Sequence, residues 1–115
     1  DTGRVPLKAW ILKRATRGFA DHLQQAGLRY TKRFGGLYAL TSLADFPALM
    51  RRWLHELPSG TLLMVHPGKR TPLTAPEDPI GGARVAEYDY LYNRGLSDDA
   101  LSADASFVRF ADLPL

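Results

Sequence analysis

Cysteine is absent from the 115 residues of this chain. Disulfides and thiolate metal sites are therefore excluded, and the redox compartment leaves no mark on the composition. No apolar run approaches the roughly 20 residues that span a bilayer. There is no internal repeat, no low-complexity tract and no signal-like segment. The 3 histidines form no His-x-His or His-x-x-x-His pair, the spacings that place two imidazoles on one metal. Charge of one sign does not dominate either. Against 15 Lys and Arg stand 12 Asp and Glu, for a net charge of +3. No recognised nucleic-acid motif accompanies that mild excess, so nucleic acid is not the expected partner.

What is present is ordinary for one globular domain with a modest core: 45% hydrophobic and 23% charged residues. The organising stretch is Gly60-Thr61-Leu62-Leu63-Met64-Val65-His66-Pro67-Gly68. Residues 61–65 are apolar or β-branched without polar alternation, which predicts a parallel strand buried on both faces. Pro-Gly ends the strand and turns the chain. A titratable imidazole is thereby delivered to the carboxyl end of a strand, where α/β folds carry out chemistry.

Taken in order, residues 7–26 read as one helix, with Pro6 at its start and Gly27 after its end. Its apolar stripe is Leu7, Trp10, Ile11, Ala15, Phe19, Leu23 and Ala26. A short strand is expected at 28–31, followed by Gly35-Gly36, which permits a bulge or a close backbone approach. A second helix runs to about residue 57. Taking Asp45 as its cap leaves Pro47 in the first turn, where a missing N–H costs nothing. A third helix is expected at 83–94, with Val85, Tyr88, Leu91 and Tyr92 inward. Residues 106–110 alternate well enough for a last strand. The 67–82 connection, rich in proline, reads as a lid-like loop.

The ordered set of Gly27-Leu28, Phe34-Gly-Gly-Leu-Tyr38, Leu57-Pro-Ser-Gly60, His66-Pro-Gly68, Arg84-Val-Ala-Glu87-Tyr88 and Val108-Arg-Phe-Ala-Asp112-Leu113 resembles the carboxyl-terminal half of the YdjC-like carbohydrate deacetylases. That family includes the chitooligosaccharide and hopanoid-biosynthesis-associated types. The resemblance implies an α/β fold, the carboxyl-terminal half of a distorted (β/α) barrel, with about three parallel strands alternating with three helices. Residues 1–115 are then a single segment that either lacks its first half or completes itself by dimerisation. The implied reaction removes acetyl groups from N-acetylated sugars, with Mg²⁺ or Zn²⁺ activating water in the full-length family member. The family's metal ligands, an aspartate and two histidines, belong to its first half and have no counterpart here. No metal is expected on this segment alone, which is expected to be inactive by itself.

Within that picture His66 is the catalytic candidate, as a general acid or a group polarising the acetyl oxygen. Tyr38 is a candidate for stacking on a sugar ring. Lys69, Arg70 and Arg84 are candidates for lining the sugar cleft. Read without the resemblance, His66 caps its strand, Lys69 and Arg70 are solvated loop charges, and Arg84 with Glu87 is an exposed intrahelical pair. A cytoplasmic location and no membrane partner are expected. The alternative function class is a basic binding module built on Lys8, Lys13, Arg14, Arg17, Arg29, Lys32 and Arg33, or a non-catalytic homodimer joined through its open sheet edge.

Overall fold

The computed structural model describes residues 6–69 and 78–114. Its elements run α1 (Pro6–Ala15), α2 (Phe19–Gln25), β1 (Phe34–Gly35), α3 (Phe46–Glu56), β2 (Leu62–Leu63), α4 (Gly81–Tyr92) and α5 (Gly95–Ser102), then a 3₁₀ turn (Phe110–Asp112). The class is mixed helix and strand, with the two strands parallel.

Helix α3 forms where the sequence marks it. The Asp45 carboxylate accepts a hydrogen bond from the Ala48 N–H at 3.0 Å, and Pro47 lies in the first turn. Its buried face, Phe46, Met50 and Trp53, recurs at helical spacing. Ala83 and Tyr90 of α4 and Ala100 of α5 close the core over it. Phe46 is the hub. Its ring lies 5.4 Å from Tyr90 edge-on and 5.7 Å from Tyr38, centroid to centroid. Tyr90 donates its hydroxyl proton to Asp99 at 2.8 Å, and Arg51 approaches the same carboxylate at 3.7 Å. The three helices are thereby tied at their polar rim as well as through their rings.

β1, α3 and β2 make one strand–helix–strand crossover, with Phe34 opposite Leu62 and Gly35 opposite Leu63. The Met64 N–H continues the ladder to the Gly35 carbonyl at 3.0 Å. Gly36 has φ +92°, and a Cβ there would collide with the Met64 backbone. The close approach expected of the glycine pair is realised at this residue.

Four local expectations are corrected. Residues 7–26 do not form one helix: the chain breaks after Ala15 and restarts beyond Gly18, which takes φ +82°. The first strand lies at 34–35 instead of 28–31. β2 is not buried on both faces, since Leu62 is 52% exposed. Residues 106–110 do not pair in any sheet among the described residues. They lead into the 3₁₀ turn, where the Arg29 guanidinium donates to the Ala111 and Leu113 carbonyls. For residues 28–31 and 106–110 the cause is pairing: strand-like composition becomes a strand only where a neighbour supplies the ladder.

Two stability measurements check this architecture. Phe46→Ala, emptying the hub of the aromatic cluster, is expected to cost about 3–5 kcal/mol in urea unfolding. Gly36→Ala is expected to cost more than ~1 kcal/mol, because alanine disfavours this φ and its methyl meets the Met64 backbone. A Gly36→Ala chain as stable as the original would contradict the strand approach described here.

Candidate functional site

Parallel register places the first two candidate residues side by side. With Phe34 opposite Leu62, the same offset carried four residues further brings Tyr38 level with His66, beyond the carboxyl ends of β1 and β2. The ladder does not continue that far. Alternate amides of the second strand donate across it, Leu62 to the Arg33 carbonyl and Met64 to the Gly35 carbonyl. The next amide in that series, His66 N–H, donates instead to Oε2 of Glu87, a side chain of α4. The other carboxylate oxygen, Oε1, accepts from the Tyr38 hydroxyl. Oε1 also lies 3.5 Å from His66 Nδ1.

Glu87 is 0% exposed. A carboxylate in such a place is tolerated only where donors satisfy it, and here a phenol and a backbone amide do so. The intrahelical Arg84–Glu87 pair expected from spacing is therefore not formed. Arg84 turns the other way, its Nε 2.8 Å from Asp78 Oδ2. The direction of that contact makes it an ion pair without a formed hydrogen bond, because Nε has no hydrogen-bond partner among the described residues.

The buried face of α4 is accordingly rotated from the expected one. Ala83, Glu87 and Tyr90 are buried, whereas Tyr92, expected inward, is 73% exposed. A purely apolar stripe assigns glutamate to solvent. The helix turns it inward because two donors wait at the strand ends.

The strand end is further docked on α4 by its backbone. The Gly68 N–H donates to the Arg84 carbonyl at 3.1 Å, and a Cβ on Gly68 would press on the Arg84 side chain at 3.2 Å. The His66-Pro67-Gly68 turn thus lies flat against the first turns of the helix. Lys69, next along, holds its ammonium 5.6 Å from the Tyr88 ring, a cation–π contact at the rim of the site. Arg70 lies outside the described residues, as does half of the 67–82 loop.

His66 keeps 21% of its side chain exposed. Nδ1 is buried and lacks a hydrogen-bond partner among the described residues. The ring is therefore partly exposed and holds one nitrogen toward a carboxylate, which orients an imidazole for proton transfer. At 3.5 Å the Nδ1–Oε1 approach is longer than a hydrogen bond.

The Tyr38 phenol is held above its ordinary pKa first by burial, then by the hydrogen bond to Glu87 and the charge of that carboxylate. It stays a donor throughout the neutral range. The Tyr90 phenol is raised in the same way, by burial and then by Asp99.

Tyr38, His66 and Arg84 thus converge on one end of the strands, with Lys69 at the rim. Glu87, the side chain that joins Tyr38 to His66, was not among the site residues expected from sequence. The signal that could have found it is its spacing three residues after Arg84, within the stretch that carries the family resemblance.

A groove of about 1030 Å³ lies elsewhere. It is lined by Arg29, Lys32, Arg33, Trp53, Gly60 and Thr61, among others, at the amino end of the strands. None of Tyr38, His66, Lys69, Arg84 or Glu87 lines it. Volume alone is a poor guide here, because the titratable groups gather at the opposite end.

Among the described residues no three His, Asp or Glu side chains group closely enough to hold a metal ion. The side chains present do not fit the divalent ion that the resemblance implies, and no step below is routed through one. No described helix is long and apolar enough to cross a membrane. No family model matches the chain, and neither a curated protein nor a solved structure does.

The tyrosines provide a pH test. A phenol whose folded pKa is raised contributes stability below the ordinary phenol value of about 10, and that stability is lost as pH rises past it. Tyr38→Phe should remove one late-ionising phenol from the alkaline ultraviolet titration. It should also cost about 1–3 kcal/mol, because a buried carboxylate oxygen loses its donor. Loss of a phenol that ionises in the ordinary range at about pH 10 would mean instead that the Tyr38–Glu87 bond is not formed in solution.

Proposed function

We propose that this chain forms part of a hydrolase that removes acetyl groups from N-acetylated sugars, with His66 as its acid–base residue. The observation that carries the reading is the His66–Glu87 pair at the strand ends. A wholly buried carboxylate lies 3.5 Å from Nδ1, on a ring that keeps 21% of its side chain exposed. In amide hydrolysis the C–N bond of the acetamide breaks, water supplies the hydroxyl of the released acetate, and the departing nitrogen must gain a proton. His66 Nε2 is the donor of that proton in this reading, and Glu87 holds the ring while it is given. Tyr38 shares Glu87 and is a positioning residue. Its hydroxyl is engaged with the carboxylate, which argues against the sugar-stacking role expected from sequence.

Lys69 and Arg84 are the polar rim available to sugar hydroxyls, and Arg84 is steadied there by Asp78. The strand–helix–strand unit with its chemistry at the carboxyl ends supports the further reading that the chain is half of a (β/α) barrel. The open groove beside residues 28–33 is where additional strands of such a barrel would lie.

Acetate release from N-acetylated sugar oligomers, measured on the natural polypeptide that carries this chain with Mg²⁺ or Zn²⁺ supplied, tests the proposal. His66→Ala should lower kcat by ~10²–10⁴-fold with little change in thermal stability. Normal turnover in that variant would remove His66 from the mechanism, and an absence of acetate release from every such sugar would remove the activity itself.

A further inference from the structure

Charge is divided along this chain more sharply than its net value shows. Of the 15 Lys and Arg, 12 fall in residues 1–70, whereas 8 of the 12 Asp and Glu fall in residues 71–115. Between Asp1 and Asp21 there are five basic residues and no acidic one. In each half, one exposed helix surface bears some of that charge beside bare apolar groups.

The basic surface is α1. Packing between elements is carried by the α3–α4–α5 cluster and the β1–β2 pair, and α1 stands outside both. Leu7, Trp10, Ile11 and Leu12 are all at least half exposed. Trp10, Lys13, Arg14 and Arg17 line a recess of about 400 Å³, with the Arg14 guanidinium 5.5 Å from the Trp10 ring. A helix of ten residues is marginal in water without a surface to pack on. Tryptophan and arginine in a recess are also the residue types that anchor protein interfaces.

The acidic surface is the outer face of α5. Asp98 is exposed and its carboxylate has no ion-pair partner among the described residues. Leu101, one turn on, is 83% exposed. Asp104 follows just past the helix, also exposed. A leucine flanked by two carboxylates is the chemical complement of a tryptophan recess rimmed by three cations.

We propose that two copies of this chain dock reciprocally, the α1 recess of each receiving the Asp98–Leu101–Asp104 ridge of the other. The pairing is isologous, so it closes at two copies and leaves neither surface free to propagate. Opposite charge supplies orientation, and the leucine and tryptophan supply the desolvated centre. The contact does not involve the His66 end of the strands, so it stands independently of the proposed activity.

Light scattering of the purified chain tests it. At low ionic strength the mass should be twice the 12.8 kDa of one chain, falling toward one chain as salt approaches ~0.5 M and screens the rim. Arg14→Glu and Asp98→Arg should each weaken the dimer at least about tenfold, because each sets like charges against one another. Combined in one chain they should restore it, since the reversed pair is again opposite. Both positions are exposed, and circular dichroism should show the same helix content in all variants. A monomer at every concentration, a dimer indifferent to both reversals, or two losses that the double variant fails to repair would each overturn the proposal. So would a monomer that binds anionic vesicles or DNA in a manner abolished by Arg14→Glu.

Discussion

One buried carboxylate sets the arrangement of the site. Glu87 has no contact with water, yet it faces a phenol, a backbone amide and an imidazole nitrogen. The cost of burying such a group is several kcal/mol unless donors meet it. Tyr38, His66 and α4 can therefore occupy few positions relative to one another. A shift of the β1–β2 register by one residue would carry the Tyr38 side chain to the other face and leave the carboxylate short of a donor.

That constraint links the sheet to the helical core. The ladder ends where the Glu87 side chain intercepts the His66 amide, so the strands stop because α4 offers a stronger, charged acceptor. Tyr38 serves both sides. Its hydroxyl meets Glu87, while its ring lies 5.9 Å from Trp53 and 5.7 Å from Phe46. The aromatic cluster beneath α3 and the polar cluster above β2 thus share a residue. A packing change at Phe46 would be felt at His66 through two intervening side chains, Tyr38 and Glu87.

Away from this centre the chain is less fully packed. The α1 face, Leu62 and the 106–110 segment expose apolar groups that the core does not cover. The proposed barrel half and the proposed reciprocal dimer address different parts of that surface. Added strands would meet the sheet and the groove beside residues 28–33, whereas a second copy would meet α1 and α5. The two readings are compatible because they draw on separate residues.

Much of the framework was legible in the residues themselves. Asp45 and Pro47 located the start of α3, since a cap and a tolerated proline admit few alternatives. Of the expected stripe Leu43, Phe46, Pro47, Met50, Trp53, Leu54 and Leu57, the face is buried at Phe46, Met50 and Trp53, whereas Leu43, ahead of the helix, is 93% exposed. Pro67-Gly68 placed His66 beyond a strand end, and the glycine pair marked the close approach made by Gly36. These are local properties, set by backbone sterics and helical period. Pairing and satisfaction are not local. Residues 106–110 have strand composition without a neighbouring strand, and the apolar period of α4 turned Tyr92 inward and Glu87 outward. Only the folded chain brought a tyrosine and an amide to that glutamate, and hydrogen bonding between residues 21 and 49 positions apart reversed the assignment.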